Sequence, residues 1–171
     1  FKTKYNKIAS AMLVHKNLLE IVAKEKKHTF ISTGMSSMKQ ISDAVKIFRK
    51  HKCPFELMHS HSAYPMPYDE ANLRLIPILA KKFKCNVGYS GHETGSYQLA
   101  MVAVTLGATS IERHITLNRA MYGSDQAASI EPAGLRQLVG AVRKIESAMG
   151  DGKKIFSNEE KIVADKLREH L

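Results

Sequence analysis

The chain has 171 residues, with 26 Lys and Arg against 16 Asp and Glu, and a formal net charge of +10. At 44% hydrophobic and 25% charged it has the composition of one folded domain, which excludes a disordered tail, a collagen-like fibre and a disulfide scaffold. No apolar run reaches the roughly 20 residues of a membrane span, and the basic runs lack interleaved aromatics, so neither a membrane nor a nucleic acid is expected as a partner.

In chain order, Tyr5–Ala9 reads as a strand and Leu13–Glu25 as a helix with Leu18, Leu19, Ile21, Val22 and Ala23 on its apolar face. His28–Ser32 is a second strand, ending at Ser32-Thr33-Gly34. The helix over about Ser37–His51 places Ile41, Ala44, Val45 and Phe48 at helical spacing. Pro54 stops it before a third strand, Phe55–His59. Asp69–Phe83 is helical, and Pro77 predicts a kink or a late start. Val87–Ser90 is a fourth strand and Ser96–Leu106 a small Ala-rich helix closed by Gly107. Ser110–His114 is a fifth strand, and a long loop leads to a helix over Pro132–Met149, with Pro132 suited to the first turn. The basic runs Lys24–Lys27, Arg49–Lys52 and Lys81–Lys84 fall at helix ends, where cations complement the helix dipole. Cys53 and Cys85 stand outside any CxxC and read as reduced thiols of a cytoplasmic protein.

The strand ends lie about 23–31 residues apart, the period of a βα unit repeated five times. The polar residues gather at the carboxyl ends of the strands, and no Gly-rich phosphate loop follows the first one. The expected class is therefore α/β, a (β/α)8 TIM-barrel type rather than a doubly wound sheet. Eight units need about 250 residues, so about five units are present here and the barrel is partial.

Residues i and i+2 of a strand project to one side, which pairs Ser90 with His92 and Glu112 with His114. Two imidazoles at matched positions on neighbouring strands can share a divalent cation, or they can be hydrogen-bonded residues at strand ends. Glu112 would lie one layer below, able to order a water or move a proton. His59 and His61 form another same-side pair, without a flanking carboxylate. Lys7 and Ser10 close the first strand, Ser32 and Thr33 the second, and Ser62 and Tyr64 lie beyond the third. A lysine ringed by hydroxyls suits an oxyanion-rich substrate, although Ser32 could equally cap a helix. Asp125 could accept from a sugar hydroxyl or form an Asx-turn.

Ser32-Thr33-Gly34-Met35, Ser62-Ala63-Tyr64-Pro65, Asn72-Leu73-Arg74, Gly88 to Gly95 and Ile111 to Leu117 together resemble the N-acetylneuraminate (sialic acid) synthase family. Gly123-Ser124-Asp125 and Ser129-Ile130-Glu131-Pro132 extend the resemblance from about Tyr5 to Gly150. It implies a TIM barrel that condenses phosphoenolpyruvate with an N-acetylmannosamine-type sugar, with Mn2+ or Mg2+ as the metal. By motif position, His92 and His114 look like the metal ligands and Glu112 like the carboxylate that orders water. Lys7, Ser10, Ser32, Ser62 and Ser90 fall where the family contacts phosphoenolpyruvate, and Tyr64 and Asp125 where it contacts the sugar. The family also implies a homodimer of the full-length protein.

Many bacterial members have Asp where Gly91 stands, whereas the Ser-Gly-His-Glu version resembles the branch that includes animal sialic acid phosphate synthases. Ser62 stands where some members have Asn, and His61 where Thr is usual. The family barrel opens with three βα units carrying a Glu, a Lys and a Thr of the site, and nothing here matches them. Residues 1–150 are thus expected to be units four to eight, and 151–171 a helical linker toward an antifreeze-like domain. Two other readings are a synthase of another nonulosonic acid, of legionaminic or pseudaminic type, and a non-catalytic partial barrel that binds a ligand or partner.

Overall fold

The computed structural model describes residues 2–95 and 97–170. Five short strands, β1 Asn6–Ile8, β2 Thr29–Ser32, β3 Phe55–Ser60, β4 Val87–Gly91 and β5 Ile111–Arg113, lie parallel in sequential order and curl into a half-barrel. Helices α1 Lys16–Lys24, α2 Met38–Lys50, α3 Leu75–Phe83 and α4 Gln98–Thr105 make the crossovers, followed by α5 Pro132–Met149 and α6 Asn158–Leu167. The partial barrel expected from the sequence is the one observed.

Strand alternation divides the side chains between two faces. Ile8, Ile31, Leu57, Val87 and Tyr89 face the helices and are almost wholly buried against Leu19, Ala23, Ile41, Val45, Phe48, Ile76, Leu79 and Phe83. Each of these larger side chains contributes about 1.5–3 kcal/mol by leaving water. The alternate residues face the concave side, and their register descends in layers. Ser32 lies opposite Met58 and Met58 opposite Gly88, while Ser60 lies opposite Ser90 and Ser90 opposite Glu112.

Several boundaries differ from the sequence reading. Residues Ser10–Met12 form a 3-10 turn rather than leading straight into a helix. α1 starts only at Lys16, where the His15 ring accepts the Leu18 N–H at 3.2 Å. Tyr68–Glu70 is likewise a separate 3-10 turn, and α3 begins late at Leu75, so Pro77 stands in the first turn. There its missing N–H has no intrahelical partner to lose. The expected helix start at Ser96 lies outside the described residues. β5 is shorter than expected and leaves His114 just beyond its end.

At the opposite end of the sheet, α1, α2 and α3 each finish in cations, and the turns that follow hold Lys26, Lys52 and Lys84 at φ of 54°, 53° and 44°. Glycine is the usual occupant of that left-handed conformation. Arg49 donates to the Phe83 carbonyl, and Glu20 of α1 pairs with Lys50 and His51, which ties the three helix ends together. No helix among the described residues is long and apolar enough to cross a membrane. Along β5 an opening of about 530 Å³ separates the concave face from α5, lined by Phe30, Met58, Val104, Leu135, Val139 and Val142.

Candidate active site

The concave face brings four sequence-predicted residues into direct contact. Lys7 Nζ donates to Ser32 Oγ at 2.6 Å and to both Glu112 oxygens at 2.6 and 2.7 Å. Ser90 Oγ donates to Glu112 Oε1 at 2.8 Å. β1, β2, β4 and β5 thus each deliver one side chain to a single polar knot. Ser32 is not a helix cap. Ser37 caps α2 instead, through a reciprocal box with Gln40. Thr33 is also spoken for, since its hydroxyl donates to the Met58 carbonyl at 3.1 Å.

Beside this knot Ser10, Ser60 and Ser62 surround Gly34. Ser10 Oγ and Ser60 Oγ lie 3.3 Å apart, and the Gly34 N–H donates to Ser60 Oγ at 3.0 Å. A Cβ on Gly34 would overlap Ser62 Oγ and stand 2.7 Å from Ser10 Oγ and 3.1 Å from Ser60 Oγ. Only glycine lets three hydroxyls close in here. Ser62 Oγ is buried and has no protein partner, which leaves it free to donate to an anion. Sequence reasoning missed Ser60 and Gly34. The signal was present, because Ser60 shares strand parity with Ser62 and register with Ser90.

Above the knot, His92 and His114 approach edge to face with centroids 5.2 Å apart. Tyr64 leans on His92 at 4.2 Å and meets His114 at 5.5 Å. His92 Nδ1 lies 2.6 Å from the His61 carbonyl, which can only accept, so Nδ1 carries the proton and Nε2 keeps a lone pair. Burial lowers the His92 pKa below the ordinary histidine value, favouring the neutral form a metal needs, while the His61 carbonyl opposes the shift. His114 Nδ1 stands 3.5 Å from Asp125 Oδ2. The pair therefore fits a divalent ion as two imidazoles with an oriented donor set. Among the described residues no group of three His, Cys, Asp or Glu side chains could hold an ion.

The other histidine pair is occupied. His59 Nε2 donates to the Ala71 carbonyl at 2.8 Å, and His61 Nε2 lies 3.2 Å from Glu70 Oε2. Both serve the loop before α3.

A curled half-barrel of parallel βα units, with a lysine, hydroxyls, a carboxylate and two imidazoles at its carboxyl rim, belongs to the TIM-barrel class of α/β proteins. The sequence profile of the NeuB family matches residues 1–154, and the chain belongs to that family. It is 38% identical over 159 residues to the N,N'-diacetyllegionaminic acid synthase of Campylobacter jejuni, covering 91% of this chain and 47% of that protein. It is 43% identical over 133 residues to the N-acetylneuraminate-9-phosphate synthase of Mus musculus, covering 77% of this chain and 37% of that one. The crystal structure of an N-acetylneuraminic acid synthetase from Leptospira borgpetersenii, in complex with citrate, superposes with a TM-score of 0.86 at 36% identity. That match covers 99% of this chain and 59% of the solved one. The chain spans about half the length of the curated relatives it matches.

Proposed function

We propose that the intact protein condenses phosphoenolpyruvate with N-acetylmannosamine or its 6-phosphate and releases phosphate. The observation that carries this reading is the convergence of Lys7, Ser32, Ser90 and Glu112 beneath the His92–His114 pair. Lys7 supplies the fixed cation for an anion with two acidic groups. The hydroxyls of Ser10, Ser32, Ser62 and Ser90 supply short donors around it. Tyr64 and Asp125 flank the histidines, where they would orient the open-chain sugar.

In the reaction the enol carbon forms a bond to the sugar aldehyde carbon, whose oxygen takes a proton. Water then adds at the pyruvyl carbon, and the C–O bond to phosphate breaks. Glu112, which the Lys7 ammonium and the Ser90 hydroxyl hold on the concave face, would take the proton of the incoming water. His92 and His114 would hold Mn2+ or Mg2+, which supplies Lewis-acid polarisation of the aldehyde when bound. A homodimeric cytoplasmic enzyme with an antifreeze-like domain after residues 151–171 is part of the same reading, on the strength of the family resemblance.

The likeness to a legionaminic acid synthase, over 91% of this chain, favours one second reading, a different N-acyl amino sugar in the same chemistry. Phosphate release from phosphoenolpyruvate by the intact gene product, with Mn2+ and a panel of N-acyl hexosamines, decides between them. Turnover is expected with N-acetylmannosamine or its 6-phosphate. Turnover confined to a diacetylated sugar would transfer the assignment, and no turnover with any sugar would overturn both.

A further inference from the structure

Behind the mouth, on the helix-facing side of β4 and β5, lies a buried ion pair that the proposed chemistry does not use. The side chains of Arg113 and Glu93 are each 1% exposed. Arg113 Nη1 donates to Glu93 Oε1 at 2.6 Å and to the Gly95 carbonyl at 2.9 Å. Its Nη2 donates to the Glu93 carbonyl at 2.6 Å and to the Ala128 carbonyl at 3.3 Å. Tyr89 donates its hydroxyl to Glu93 Oε2 at 2.9 Å. The Glu93 carboxylate folds back over Gly91, where a Cβ would stand 2.6 Å from Oε2 and 2.9 Å from the Tyr89 ring.

The chain positions of these groups matter. His92 immediately precedes Glu93, and Glu112 and His114 flank Arg113. Ala128 leads into the stretch whose Ile130 N–H donates to the His114 carbonyl at 2.9 Å. One planar guanidinium therefore joins the backbone after His92, the strand before His114 and the loop that carries Asp125. Stability alone does not account for such a pair, because desolvation largely offsets its attraction and apolar replacements often serve as well. An apolar pair cannot, however, fix carbonyls from separate segments to one rigid fork.

We propose that Glu93 and Arg113 are positioning residues that hold His92 and His114 at the separation a shared divalent cation requires. The inference rests on the proposed role of that histidine pair. Gly91 belongs to the same device, since the space a side chain would take there is filled by the Glu93 carboxylate. A carboxylate placed on residue 91 would reach the same guanidinium from a shorter side chain.

The test is Mn2+ affinity of the intact gene product, read from the electron paramagnetic resonance of free Mn2+, with the thermal midpoint of each variant measured alongside. Glu93→Gln and Arg113→Met are expected to weaken Mn2+ binding about 10- to 100-fold, the range for groups that orient metal ligands. Arg113→Lys keeps the charge and loses the fork, and is expected to weaken it too. Gly91→Asp combined with Glu93→Ala is expected to recover affinity that Glu93→Ala alone loses. Wild-type affinity in folded Glu93→Gln and Arg113→Met overturns the proposal. If both fail to fold, wild-type affinity in Arg113→Lys does so. His92→Ala separates the two levels. Unchanged Mn2+ affinity there removes the histidine site and the clamp with it, whereas a loss there beside wild-type clamp variants overturns the clamp alone.

Discussion

Among the described residues Lys7 is the cation that donates to Glu112, and it also holds Ser32. Lys7→Met is expected to lower the rate of phosphate release by about 100- to 1,000-fold, as loss of a preorganised electrostatic donor does. Gly34 is the second sensitive point. Gly34→Ala forces a methyl among three hydroxyls and is expected to raise KM for phosphoenolpyruvate while the fold, followed by circular dichroism, survives. His59 makes a pH-dependent contribution. Burial lowers its pKa below the ordinary histidine value, against the opposing pull of the Ala71 carbonyl. The unfolded chain therefore takes up a proton before the folded one does. The stability His59 confers is present above pH of about 6.5 and is lost as pH falls through the lower folded value. Urea titrations at pH 7.5 and 5.5 should show that loss, and His59→Gln should reduce it.

At the scale of elements, α2 begins at a reciprocal box in which Ser37 Oγ accepts the Gln40 N–H and Gln40 Oε1 accepts the Ser37 N–H. Ser37→Ala is expected to cost about 1 kcal/mol in chemical unfolding, the usual worth of such a cap. The strands and most of the apolar helix positions were legible in the sequence because β-branched runs and helical spacing report burial, but Ile21, expected on the apolar face of α1, is exposed to solvent. Boundaries were less so. The late start of α1 depends on a ring nitrogen of His15 meeting a backbone N–H, which no periodicity encodes. The same division holds at the site. Lys7, Ser90 and Glu112 were readable from strand parity, and the knot they form follows from register. Ser60 lies between two histidines with the stronger pairing pattern, and its place beside Gly34 follows only from its register with Ser90. Gly34 and Gly91 carry no such signal, since each is glycine because folded side chains, three serines at Gly34 and Glu93 with Tyr89 at Gly91, fill its Cβ space.

At the scale of the molecule, β1 and β5 leave two sheet edges, and the opening beside β5 is lined largely by apolar side chains. Such edges are templates for association. The bare 171-residue chain is expected to self-associate in sedimentation velocity, and a dispersed monomer would show that these edges need no cover. The three left-handed lysines bear on a different property. Lys52 sits before β3 begins, and the mouth opens at Ser60, so the strand between them spans about 20 Å, more than two Debye lengths at physiological salt. An anion nearing the mouth is shielded from the cations at the far end. Encounter with phosphoenolpyruvate should thus be nearly indifferent to the triple change Lys26→Gly, Lys52→Gly and Lys84→Gly, with kcat/KM held to within about twofold. On the proposed function, the surplus charge at the far end would then contribute little to capture of the substrate, which would rest on Lys7 and the short donors around it.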